Sequence, residues 1–185
     1  KIVDHLLADE AFIRHSASEL NTLLSDDRNE DLRPYLLESL ASNKGWDQMF
    51  REMISGDTSQ PSNQGPTSFV LKRVNDLDKL TNVTSAVFFG INISCAKCHD
   101  HPLVSEWTQS HFYGMKSFFS RSFGNGDFLG EREYGAVQFK TTSGETLDAK
   151  MMFLDGLTVG EPEWKAPDSK QQASRKKQLE QLKKD

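Results

Sequence analysis

A mainly helical fold with one small, late β-hairpin is predicted for this chain, on three observations. Apolar residues recur at helical spacings through most of the first 120 positions. The period changes to alternation only in "AVQFKT" (136–141) and "TLDAKMMFL" (146–154). Twelve Phe and three Trp among 185 residues supply the large side chains a modest core needs.

The elements follow in order. Leu6, Leu7, Phe12, Ile13, Leu20, Leu23 and Leu24 put helix over 1–25, and Asp9 is placed to cap its second part. "SDDRNED" (25–31) is a polar connection. "LRPYLLESLASN" (32–43) is a helix with Pro34 in its first turn. "WDQMFREMISG" (46–56) is a short helix with Asp47 as N-cap and Gly56 as its stop. "DTSQPSNQGPTS" (57–68) has no hydrophobic anchor and reads as a loop. Helix resumes near Asp76 and runs towards Cys95. After a turn at "HPLVSE" (101–106) comes an aromatic helix over 107–123, capped by Thr108, with Phe112, Met115, Phe118 and Phe119 on one face. "GNGDFLGE" (124–131) reads as a glycine-rich loop. "TSGE" turns the hairpin, "GEPEWKAPD" (160–168) is a linker, and 169–185 is a charged, locally basic helix.

Charge and hydropathy exclude some functions. The net charge of −5 argues against non-specific nucleic-acid binding, which needs a basic footprint. The longest apolar run, "AVFFGI" (86–91), is far too short for a transmembrane segment. The chain starts in helix at Lys1 and stops in a charged helix, which predicts a fragment of a larger protein.

The chemistry concentrates in "SCAKCHDH" (94–101), which holds both cysteines and two of the five histidines. C-x-x-C-H reads as c-type haem attachment. On a helical turn Cys95 and Cys98 share a face and reach both vinyl groups of one haem, and His99 offers Nε2 to the iron. Two other readings stand beside it. A Cys₂His₂ zinc site, in a structural or interaction module, would join Cys95 and Cys98 to two of His99, His101 and His111, although such sites usually draw their second pair from a separate segment. A redox dithiol would want a strand before Cys95 and a βαβ rhythm, and neither is present in the pattern.

The stretch "VFFGINISCAKCHDHPLVSEWTQSHFYGMKSFFSR" (87–121) resembles the planctomycete-type cytochrome c domain family. Phe89–Gly90, Cys95–Ala96, Cys98–His99, His101–Pro102, Trp107–Thr108–Gln109, Phe112–Tyr113–Gly114 and Phe118–Phe119 match its signature. Residues 32–57 resemble its upstream helix. The likeness covers about residues 1–123. It departs at Asn43–Lys44–Gly45–Trp46, where Asn-x-Pro-Tyr is usual, and at His111, where an acidic residue is common. The resemblance implies one covalent haem c in a bacterial protein exported to a periplasm-like compartment, within a larger multidomain chain. Residues 1–160 would form the haem domain, with a helical core over 1–123 and a hairpin lobe over 132–156. Residues 161–185 would lead into a following domain.

The expected activity is electron transfer to a partner protein or neighbouring domain. The alternative is a haem enzyme or sensor with an open distal site. For the sixth ligand the candidates are Met115 and His111 on the helix after the motif, with Met151 and Met152 further along. His101 is expected to bond a haem propionate, a backbone carbonyl or the turn that Pro102 fixes, outside the iron's own ligands. Trp107 and Phe89 are expected to line the haem pocket.

Overall fold

The computed structural model describes residues 1–7, 9–25, 32–55, 61–126, 128–160 and 168–182. They form a helical body followed by two small hairpins and a final helix. The helices are α1 (Ile2–Leu7), α2 (Glu10–Leu24), α3 (Arg33–Ala41), α4 (Trp46–Ser55), α5 (Pro61–Leu71), α6 (Leu77–Phe89), α7 (Gln109–Ser117) and α8 (Ser169–Leu182). A tight 3₁₀ turn, Ser94–Lys97, lies between α6 and α7.

Local chemistry sets most boundaries. The Asp9 carboxylate accepts the Ala11 N–H at 2.7 Å and opens α2. Pro34 sits in the first turn of α3, where its missing N–H costs no bond. That helix closes in a Schellman motif. Asn43 takes φ +52°, its N–H reaches the Leu40 carbonyl at 3.0 Å, and the Lys44 N–H reaches that of Ser39 at 2.8 Å. Asp76 caps α6 by accepting the Lys79 N–H at 3.1 Å, and Gly90, at φ +68°, ends it.

Several expectations are corrected. Residues 61–68 of the segment read as a loop belong to α5, which is anchored from its far end by buried Phe69 and Val70. The stretch 124–131 is not a loop. Strand β1 (Ser122–Asn125) pairs antiparallel with β2 (Phe128–Glu131), and Gly126 turns the chain at φ +63°. The described residues thus hold two hairpins, and the aromatic helix predicted to reach residue 123 stops at Ser117. In the later hairpin β3 (Gln138–Lys140) pairs with β4 (Thr146–Asp148). The predicted second strand is therefore shorter, and Met152 makes only an isolated bridge to Thr158. Finally, α4 begins at Trp46, so Asp47 lies inside its first turn and pairs with Arg51 at 3.0 Å. The helix predicted towards Cys95 ends at Phe89. The expected stop at Gly56, the connection over 26–31 and the linker over 161–167 fall outside the described residues.

Two cores result. The larger joins Leu24 of α2, Leu36 of α3, Met49 and Met53 of α4, Phe69 of α5 and Leu80 of α6, with Phe119 beyond α7. Arg73, 3% exposed, crosses it. Its guanidinium donates to the Phe69 carbonyl at 2.7 Å and the Leu24 carbonyl at 2.8 Å, and stacks on the Phe69 ring. Replacing Arg73 by Met keeps the aliphatic stem but leaves both carbonyls without that donor. The expected cost is about 3 kcal/mol. It would be read as a lower urea midpoint with an unchanged slope.

The second core is smaller. It holds Ile93 and Ala96 from the 3₁₀ turn and Phe112 and Met115 from α7, flanked by Ile91, Trp107, Tyr113, Phe118 and Leu154. The C-terminal lobe comes close to α7 here. A Cβ on Gly114 would lie 2.5 Å from Met152 Cβ and 3.0 Å from the Lys150 carbonyl oxygen, so only glycine allows this approach. Among the described residues no helix is long and apolar enough to cross a membrane.

Candidate functional site

The turn after α6 sorts its residues by face. Ala96 is fully buried in the second core, while Cys95, Cys98 and His99 are exposed. The Cys98 and His99 N–H groups both return to the Cys95 carbonyl, at 3.2 and 3.3 Å. The Cys98 bond is the i to i+3 bond of a 3₁₀ turn, with Cys98 as the residue that closes it. The two are exposed and are not joined in a disulfide.

Three histidines near the turn differ in which ring nitrogen is left over. His99 Nδ1 lies 2.7 Å from the Asp100 carbonyl oxygen. A carbonyl only accepts, so Nδ1 carries the proton and Nε2 keeps its lone pair. His101 is the reverse. Its Nδ1 accepts from the N–H groups of Leu103 and Val104 at 3.3 and 3.2 Å, which leaves the proton of the neutral ring on Nε2. His111 Nδ1 accepts the Thr108 N–H at 3.2 Å, closing a capping box that starts α7. Of the three, His99 alone presents a ligand-ready nitrogen in its neutral state.

The other predicted site residues are placed as follows. Met115, 4% exposed, packs within the second core. Trp107 is half-buried and meets the His101 ring edge-on at 5.4 Å between centroids. Phe89 is 45% exposed and stands edge-on to Phe50 at the end of α6. Met152 backs onto Gly114. Among the described residues no three His, Cys, Asp or Glu side chains gather to hold a metal ion, so the set of Cys95, Cys98 and two neighbouring histidines is not assembled.

Sequence reasoning missed the brace around the turn. Asp78 of α6 pairs with Lys97 at 2.8 Å and with Lys116 of α7 at 2.6 Å, joining turn, helix and helix through one carboxylate. Burial pushes the Asp78 carboxyl up, but hydrogen bonds from Lys116 and then Lys97 outweigh it and hold it below 3.8. The hydrogen bond and charge of Asp78 in turn raise Lys97 above 10.5. The signs fix a window. The Asp78 contribution is full above the ordinary aspartate value and disappears as pH falls through the lower folded value. The Lys97 contribution is full below the ordinary lysine value and is lost as pH rises through the folded one. All three side chains touch solvent, so Asp78→Asn is expected to cost no more than about 1 kcal/mol near neutrality. Urea titrations across pH check this: the difference between the two chains should vanish in strong acid.

The family model described as "Protein of unknown function (DUF1549)", PSCyt2, matches residues 1–123. The chain belongs to this family. The match spans α1 to α7 and the whole turn, and ends inside the first hairpin. No curated protein matches the chain, and no solved structure does.

Proposed function

We propose that this PSCyt2 chain is a mono-haem c-type cytochrome domain that transfers electrons within a larger exported bacterial protein. Cys95 and Cys98 would hold the porphyrin through two thioether bonds, and His99 would be the proximal iron ligand. The observation that carries the reading is the state of the turn: two exposed cysteines linked by the Cys98 N–H to Cys95 carbonyl bond, beside an imidazole whose Nδ1–H is fixed on the Asp100 carbonyl. A ligating histidine ordinarily has its second nitrogen tied in this way, which fixes ring and tautomer.

Bound there, a haem supplies an iron that alternates between ferric and ferrous states. The chain's own residues do the rest. Ala96 and Phe112 seat the turn on a dry core. Asp100 orients His99, and His101 holds the following loop closed through Leu103 and Val104. Asp78 fixes the Lys97 side chain. The receiving group would be a redox partner protein or a neighbouring domain of the parent chain.

The function is tested on chain exported in a strain with haem c maturation. A low-spin ferric spectrum that ignores added cyanide is expected. A high-spin spectrum whose Soret band moves on adding cyanide would overturn electron transfer in favour of a ligand-binding or catalytic haem.

A further inference from the structure

Gln109 is 7% exposed, and its carboxamide reaches in two directions. Its Nε2 donates to the Lys97 carbonyl in the 3₁₀ turn and to the Lys140 carbonyl at the end of β3, each at 3.4 Å. Its Oε1 accepts the Thr142 N–H of the β3–β4 loop at 3.2 Å. Its own N–H donates to Asp100 Oδ1 at 3.2 Å, next to His99. Both amide hydrogens and the carbonyl oxygen are therefore used.

Tyr113, one turn further along α7, repeats the connection. Its hydroxyl donates to the Lys97 carbonyl at 3.1 Å. Its ring lies flat on Phe139 of β3, with centroids 4.4 Å apart and planes 8° from parallel. The hairpin is thus bonded to the turn through one face of α7, although it lies past the end of the family match.

We infer that Gln109 is a positioning residue that ties the Cys95–His99 turn to the β3–β4 hairpin, so that the functional unit extends beyond residue 123 to include residues 138–148. The importance of the turn rests on the proposed haem attachment; the coupling itself does not. Lys97 stands between the two cysteines, so a donor on its carbonyl holds the peptide that sets their relation. The hairpin fixes where that donor sits. Without it, a carboxamide near the start of α7 would be free to rotate.

The test uses backbone amide order parameters, measured by NMR on the 185-residue chain in its reduced state, with or without haem. In the unaltered chain the amides of Lys97, Cys98 and His99 should be rigid, near about 0.85, and in Gln109→Ala they should fall towards about 0.6. Thr142→Pro is the gentler variant. Thr142 follows the acceptor of the Thr141–Gly144 turn bond, a position that suits proline, and the change removes the N–H that Gln109 accepts. It should lower the order parameters of residues 97–99, more than 40 positions away, with α2 to α6 unaffected. Unchanged values at residues 97–99 in both variants would overturn the coupling, as would an even loss across the whole helical body. In haem-loaded chain Gln109→Ala should also shift the midpoint potential. A chain that takes up no haem would defeat the proposed function and leave the NMR result to decide Gln109 alone.

Discussion

Changing both Cys95 and Cys98 to Ser is expected to abolish covalent haem and leave the fold intact. Both side chains are exposed and lie outside the two cores. Their loss should therefore move stability by no more than about 0.5 kcal/mol, the usual range for surface substitutions. Each single variant should retain one thioether bond and one free vinyl, seen as a red-shifted band in the pyridine haemochrome spectrum. His99→Ala should behave differently: attachment persists, but the ferric spectrum changes because the proximal nitrogen is gone. Covalent haem on the double variant would contradict the assignment of the anchors.

The second large effect belongs to Phe112→Ala. Phe112 is fully buried between Ile93, Ala96 and Met115, and meets the Tyr113 ring edge-on at 5.2 Å. Removing a buried aromatic costs about 3–5 kcal/mol. Single domains have only about 5–15 kcal/mol in total, so the loss should be plain in a urea titration. Phe69→Ala, in the first core, should cost a similar amount. The two should differ at the turn. Ala96 packs directly in the Phe112 cluster, so Phe112→Ala should also raise the mobility of residues 95–99 in the native state. Phe69→Ala should not, because Phe69 lies in the other core.

What the sequence made legible was local. Asp9, Pro34 and Thr108 announce helix starts because capping is settled within one turn of chain. The C-x-x-C-H spacing on which the haem proposal rests is legible for the same reason: it lies within five residues. α5 was hidden because its polar first half carries no apolar signal, and the residues that hold it, Phe69 and Val70, lie at its end. The first hairpin was hidden for another reason. Its strands are half-buried or exposed, so no alternation marks them, although Gly126 is a turn signal that could have been read.

The braces of the site were illegible in a stronger sense. Asp78 meets Lys97 and Lys116, and Gln109 meets Lys97, Lys140 and Thr142, across separations of 12 to 38 residues. No spacing rule encodes such partners, because they meet only after the helices and hairpin have packed. The tautomer of His99 belongs to the same class. Its sequence position predicts a ligand, but only the Asp100 carbonyl beside Nδ1 says which nitrogen is available.

The central claim is that Cys95 and Cys98 are haem anchors. Its most direct test is the intact mass of the exported, matured chain after denaturation in acid and organic solvent, read beside its pyridine haemochrome spectrum. The expected result is a mass increased by one haem, with a haemochrome band typical of two thioether bonds. A chain at its bare polypeptide mass, with all colour extracted into the solvent, would contradict it.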